Sequence, residues 1–214
     1  MADNINYSIR KESHSMFSVK EVPWHGLGQV VDEALTSAEA IKAANLDFKV
    51  EKLPNFVRIG NTELVSPSSF STIRTDVPEV LGNVGKDYTV VQNSDAFIFF
   101  DSIVGKNKAI FQTAGALGKG EQVFITAKLP KSIILDNIDQ IDQYLLLSNT
   151  HDGSRSIEVL FTPIRVVCNN TLTAALRMAE NRIKIRHTAK ANERLEKAHK
   201  LLGIHTKLFD EQET

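Results

Sequence analysis

The sequence predicts an α+β fold: a mixed, mainly antiparallel sheet built from hairpins, with helices packed on one face. Two observations predict it. Strand-like runs come in neighbouring pairs joined by short turn segments, Gly60-Asn61 in the first half and His151-Asp152-Gly153-Ser154 in the second. Such links close hairpins, whereas a parallel sheet needs long crossovers. Helical periodicity is confined to a few segments and does not alternate regularly with the strands.

The elements follow in order. Residues 1–16 are polar and read as a flexible N-terminal segment. Order begins at Phe17, and Pro23-Trp24-His25-Gly26-Leu27-Gly28 lies in the first ordered stretch. Thr36-Ser37-Ala38-Glu39 is a capping box, and Ala40, Ile41 and Ala44 give the following helix an apolar face, ending near Asn45. Phe48–Leu53, Phe56–Ile59, Glu63–Val65 and Phe70–Arg74 read as short strands, with Gly60-Asn61 as a hairpin turn. Tyr88–Gln92 reads as another strand. Asn93 or Ser94 then caps a helix through Ala96, Phe97 and Phe100 that stops at Gly105.

In the second half, Ala109–Thr113 and Gln122–Lys128 flank a glycine-bearing link. Tyr144–Asn149 and Ser156–Val167 flank the Asp152-Gly153 turn. A helix starts at Asn169-Asn170-Thr171, with Leu172, Ala175, Leu176 and Ala179 at helical spacing, and a last helix runs from about Ala189 to Leu202. The expected organisation is a single α+β domain over 17–207, in two halves (17–105 and 106–207), and an acidic tail over 208–214.

The chain has 214 residues, 42% apolar and 24% charged, which is ordinary for a globular protein. No apolar run approaches the roughly 20 residues of a membrane span, and the polar start lacks the apolar core of a signal peptide. Cys168 is the one cysteine, so neither an internal disulfide nor a thiolate metal cage is expected. A cytoplasmic location fits, with no membrane partner.

Net charge is −1, yet residues 177–207 carry nine Lys/Arg against three Glu, a local +6. That asymmetry suits an anionic partner as well as a solvated helix surface. Arg182-Ile183-Lys184-Ile185-Arg186 alternates strictly. As a strand it sets its cations about 6.6 Å apart on one face, close to the phosphate spacing of an extended single strand; as a helix the stripe disperses. Lys190 and Arg194 lack acidic partners at four-residue spacing, unlike Lys197 with Glu193. Arg165, set among Ile164, Val166 and Val167, needs a carboxylate, carbonyls or an anion.

Other motifs have two readings each. Gly118-Lys119-Gly120 leads into a strand, not a helix, so a hairpin loop is preferred to a phosphate loop. His151 and Asp152 suit a turn tip better than a metal site, which needs three or four ligands. Cys168 with His187 or His25 is a candidate nucleophile and base, or a small buried side chain. Trp24 beside His25, and Tyr88, are candidate platforms for stacking bases, or simple aromatic anchors.

Several longer strings carry a family resemblance. These are Pro23–Gly28, Tyr88-Thr89-Val90-Val91-Gln92-Asn93, Gly120-Glu121-Gln122-Val123-Phe124, Ser148-Asn149-Thr150-His151-Asp152-Gly153-Ser154, Thr162-Pro163-Ile164-Arg165-Val166-Val167-Cys168-Asn169-Asn170-Thr171-Leu172 and Arg186-His187-Thr188. Together they resemble a bacterial family of phage/plasmid-like proteins of unknown function, over about residues 17–203. The resemblance implies a prophage, phage or plasmid origin, no established activity, and motif residues His25, His151, Asp152, Cys168, Asn170 and His187 of open role. Members of that family usually run on past the point where this chain ends. A hairpin sheet followed by a basic helix also looks like the core of single-strand annealing proteins, a likeness of fold alone.

The expectation is a non-enzymatic DNA-binding protein of a mobile element, without cofactor or metal. It binds single-stranded DNA as a homo-oligomer through Arg165, Arg182, Lys184, Arg186, Lys190 and Arg194. The alternatives are a protein-interaction module in phage–host conflict and a hydrolase using Cys168 with a nearby histidine.

Overall fold

The computed structural model describes residues 3–32, 36–107, 109–130, 132–135, 139–179 and 182–198. The acidic tail and the end of the last helix lie outside these residues. The strands are β1 (Tyr7–Ser8), β2 (Ser13–His14), β3 (Met16–Val19), β4 (Gln29–Val31), β5 (Val50–Ile59), β6 (Thr62–Arg74) and β7 (Glu79–Gly85). They continue with β8 (Ile110–Leu117), β9 (Gln122–Lys128), β10 (Ile133–Leu135), β11 (Asp139–Ile141), β12 (Tyr144–Thr150), β13 (Ile157–Thr162) and β14 (Arg182–Ile185). The helices are α1 (Ser37–Ala43), α2 (Asn93–Asn107), α3 (Asn169–Met178) and α4 over 191–198. The fold is α+β and mainly antiparallel.

Seven strands form the central sheet in the order β14-β13-β12-β9-β8-β3-β4, with only β3 and β4 parallel. Strand β12 lies near its middle, and all seven of its residues are buried. Leu145 and Leu147 face one layer, with Phe97 and Phe100 of α2, Ala40 and Ile41 of α1, and Leu195 of α4. Leu146 faces the other, with Phe124, Leu160 and the Leu172 and Leu176 of α3. A strand covered on both faces reads as a continuous apolar run, as Tyr144-Leu145-Leu146-Leu147 does. Each such side chain contributes roughly 1.5–3 kcal/mol by its burial. Helices on one face were expected; three of the four share a face, and α3 packs on the opposite one because Leu146, Phe124 and Leu160 need cover there too.

Local expectations are met where the chemistry is local. Glu39 N donates to Thr36 Oγ1 and Thr36 N to Glu39 Oε2, so the capping box forms and α1 follows. The hairpin link Gly60-Asn61 joins β5 to β6, with Gly60 at φ +59°, a conformation glycine adopts without penalty. Other elements differ. The N-terminal segment, expected to be loose, forms the β1–β2 hairpin; Asn6 N donates to Ala116 O and Ser15 N to Asn6 O. Tyr88–Gln92 is extended but joins no sheet, because Gln92 uses its side-chain amide on both the N–H and the C=O of Val50. Helix α2 passes Gly105 and ends at Asn107. Strand β13 stops at Thr162, before Pro163, which has no N–H for the ladder.

Strands β5, β6 and β7 make a separate three-stranded sheet. Its base is held against the central sheet. Thr72 Oγ1 donates to His151 O at 2.6 Å. A methyl built on Gly82 would stand 2.5 Å from Asp152 Cα, so glycine is required for β7 to lie against the β12–β13 turn. Beyond Pro54 the register slips, and Phe56–Ile59 pair with Thr62–Val65 as a two-stranded arm that β7 does not reach.

Candidate functional site

The strings that carry the family resemblance converge in space. Tyr88 stacks on His187 with ring centroids 4.7 Å apart and planes 18° from parallel, and its hydroxyl donates to Thr150 O. His151 is fully buried; its Nε2 meets Asn93 Oδ1 at 2.9 Å, and its N–H donates to Glu121 O. Asn93 Nδ2 donates to Leu46 O, and Asn149 Nδ2 to Val91 O. This buried clasp ties α2, the β12–β13 turn and the stretch after β14 together.

Burial sets the electrostatics of the clasp. It lowers the His151 imidazole to about 3, helped by repulsion from His187 and Arg74. It lowers His187 too, partly offset by the nearby Thr89 backbone and the Asp152 charge. Burial raises the Tyr88 phenol, with Asp152 adding to the effect. Both imidazoles are therefore neutral at pH 7. Asn149 Oδ1 and His151 Nδ1 have no protein hydrogen-bond partner. His151 was expected at a turn tip; it sits beneath the turn. Asp152 occupies the turn itself, where its Oδ1 accepts from Ser154 N.

The basic residues divide into paired and unpaired sets. The alternating segment is strand β14, the end strand of the central sheet among the described residues. Ile183 and Ile185 face the core, and Arg182 and Lys184 face outward, where both reach Glu158, at 3.3 and 3.7 Å. Glu158 is 6% exposed, so two cations share one nearly buried carboxylate. Arg182 also donates to Leu176 O. Arg165 is taken up structurally: Glu21 lies at 2.8 Å and Ser18 Oγ at 2.6 Å. Arg186, Lys190 and Arg194 are exposed, and no ion pair engages them among the described residues. Ala191, Leu195 and Ala198 turn the apolar side of α4 inward, while Lys190, just before the helix, and Arg194, beside its apolar side, stay exposed.

The remaining candidates have defined places. His25 Nε2 donates to Val167 O and its Nδ1 accepts from Leu27 N, so the ring is an anchor. Trp24 stands 68% exposed beside it. Tyr88, a candidate for base stacking, has one ring face occupied by His187. Cys168 is buried at the start of α3 with its thiol on Thr171 Oγ1, and no hydrogen bond joins it to a histidine among the described residues. That removes the support for a Cys–His nucleophile. Asn170 is exposed in the first turn of α3.

A cleft of about 230 Å³ opens between Asn6, Ile9, Arg74 and Lys119. Its cations are spent: Arg74 on Asp76 and Lys119 on Glu79. Among the described residues, no group of three His, Cys, Asp or Glu side chains suits a metal ion, and no helix is long and apolar enough to cross a membrane.

Two features escaped the sequence reading. Glu158, inside the apolar run Ile157-Glu158-Val159-Leu160, was the available sign that the β14 cations have a local partner. The arm is legible as the hairpin Phe56–Ile59 and Glu63–Val65 about Gly60-Asn61, but not its exposure, because strand composition does not say which strands another element covers.

The fold and the site define an α+β chain whose sequence motifs build a buried clasp beside a basic sheet edge. A family model matches residues 80–214, and the chain belongs to that family, described as a domain of unknown function (DUF932). The match takes in the clasp and the basic edge, while the β5–β6 arm precedes it. No curated protein and no solved structure matches the chain.

Proposed function

We propose that this is a non-enzymatic nucleic-acid-binding protein of a mobile genetic element. It binds single-stranded DNA along the rim formed by β14 and α4, works as an oligomer in the cytoplasm, and serves recombination or strand annealing. The observation that supports the reading is the trio Arg186, Lys190 and Arg194: three exposed cations within nine residues, without ion pairs among the described residues, at the β14 end of the central sheet. Arg182 and Lys184 add one net charge beyond Glu158. A single strand needs only such a narrow track, whereas a duplex groove calls for a helix or ribbon to enter it. The mobile-element setting rests on the resemblance to phage/plasmid-like proteins. Arg165 is not needed, being held by Glu21.

The test is the triple variant Arg186→Ala/Lys190→Ala/Arg194→Ala. Losing three phosphate contacts is expected to reduce the slope of log affinity against log salt by about 2 for a single strand. Melting curves should match wild type, because all three side chains are exposed. Unchanged affinity and slope in a folded variant would contradict the assignment.

The second reading, an interaction module in phage–host conflict, is favoured by one observation: the exposed apolar arm. Capture of one host protein that the arm variants described next fail to capture would favour it.

A further inference from the structure

We infer that the β5–β6 arm is an exchange element that docks on the segment 22–30 of a second copy of this chain. The inference gives the oligomer in the proposed function its surface.

The arm begins where the register slips between Pro54 and Phe56. Its cross-strand pairs set the faces. Val57–Leu64 and Ile59–Thr62 share one face; Phe56–Val65 and Arg58–Glu63 share the other. Phe56 is 59% exposed and Ile59 64%, and Val57, Leu64 and Val65 are all more than half exposed. An isolated two-stranded ribbon is marginally stable in water, so an arm this apolar on both faces calls for cover. The base gives it a fixed direction, since Arg74, Thr72 and Gly82 hold that end of the sheet.

Three observations point to a second copy. First, the partner meets the faces and not the edges. Pro54 and Pro67, which bound the arm at its base on the two strands, lack the N–H that edge pairing uses, and the slipped register bends the ribbon there. Second, the arm is neutral. Its two charges, Arg58 and Glu63, pair with each other at 2.6 Å, so covering it strands no lone charge. Third, the chain offers a receiving surface. Val22 is 67% exposed, Trp24 68% and Val30 46%; Val30 lies on β4, the end strand of the central sheet among the described residues, and Val22 and Trp24 precede it on the loop from β3. With Leu53 at its base, the arm leaves on the order of 600 Å² of apolar side chain uncovered over its two faces together, as much as the largest single patch of a typical monomer. Two arms exchanged around a two-fold axis bury both arms and both receiving segments. That clears the roughly 1,200 Å² at which stable interfaces begin.

Trp24 is the chain's one tryptophan and reports directly. The experiment follows the mass of the full chain by sedimentation, and Trp24 emission, across the micromolar range without nucleic acid. Wild type should sediment as a dimer, with emission shifting to the blue as it associates. The variant Val57→Ser/Ile59→Ser/Leu64→Ser should be monomeric at the same concentrations, keep red-shifted emission, and unfold cooperatively at a midpoint that does not shift with concentration, as a folded monomer does. Trp24→Ala should also give a monomer. A wild type that stays monomeric across the range would overturn the inference, as would a dimer the arm variant leaves intact or Trp24 emission that ignores concentration. Because no DNA is present, these outcomes are independent of whether the basic rim binds it.

Discussion

Replacing Asp76 by alanine is expected to cost about 3–5 kcal/mol of folding stability, as losing one partner of a buried ion pair does. The Arg74 side chain is 2% exposed and that of Asp76 13%. Arg74 gives Nη2 to Asp76 Oδ2 at 2.7 Å and Nε to Oδ1 at 3.0 Å. Its Nη1 serves Lys119 O and Asn6 Oδ1, and the guanidinium lies 3.9 Å over the Phe48 ring. Arginine cannot shed its proton to escape a buried, unpaired state. The variant Asp76→Ala leaves that cation with carbonyl and amide oxygens but no counter-charge. Urea unfolding measures the loss. Replacing both partners, as Arg74→Met/Asp76→Leu, should cost less than the single change, because it removes the charges together. A single-variant loss below about 1 kcal/mol would mean that Asp76 does not set the balance there.

Acid should weaken the protein well above the usual carboxylate range. His151 is held to about 3 by burial, against about 6.5 in an unfolded chain. The unfolded state therefore binds a proton that the folded state refuses. Stability is full above pH 6.5 and falls as pH drops from there toward 3. At pH 5 the loss from this one residue is about 2 kcal/mol, at 1.36 kcal/mol per pH unit. His187 shifts in the same direction and adds to it. Asp142, which Lys128 lowers from the usual carboxylate range, does not contribute between pH 7.5 and pH 5. Comparing urea midpoints at pH 7.5 and pH 5 reads the effect. In His151→Gln the difference should shrink, whatever that variant's stability at pH 7.5. Equal midpoints at the two pH values in wild type would contradict a neutral, buried His151.

What could be read from the sequence was set by nearby residues. The Thr36–Glu39 box, the Gly60-Asn61 turn and the Asp152-Gly153 turn each carry their geometry within a few positions, and each stands as expected. Strand β7 escaped notice because Gly82, Asn83 and Gly85 break its apolar alternation, and Gly82 is there for the close approach of Asp152. Tyr88–Gln92 has strand composition, yet its hydrogen bonds go to Val50 and Thr150, more than 40 positions away. The basic segment was legible as a charge pattern, and its strand geometry was one of two open readings. Its pairing with Glu158 depends on the β13–β14 register, which no local pattern records. The motif residues His151, Asn93, Tyr88 and His187 stood out in sequence. Their joint burial became visible only when three distant segments met.

Nucleic-acid binding along the β14–α4 rim, as proposed, is open to direct measurement. Fluorescence anisotropy tests it most directly, with wild-type protein titrated against labelled single- and double-stranded oligonucleotides at low and physiological salt. Binding at low salt that weakens steeply as salt rises is expected, with the single strand preferred. Absence of binding to either form at low salt, where phosphate contacts are strongest, would contradict it.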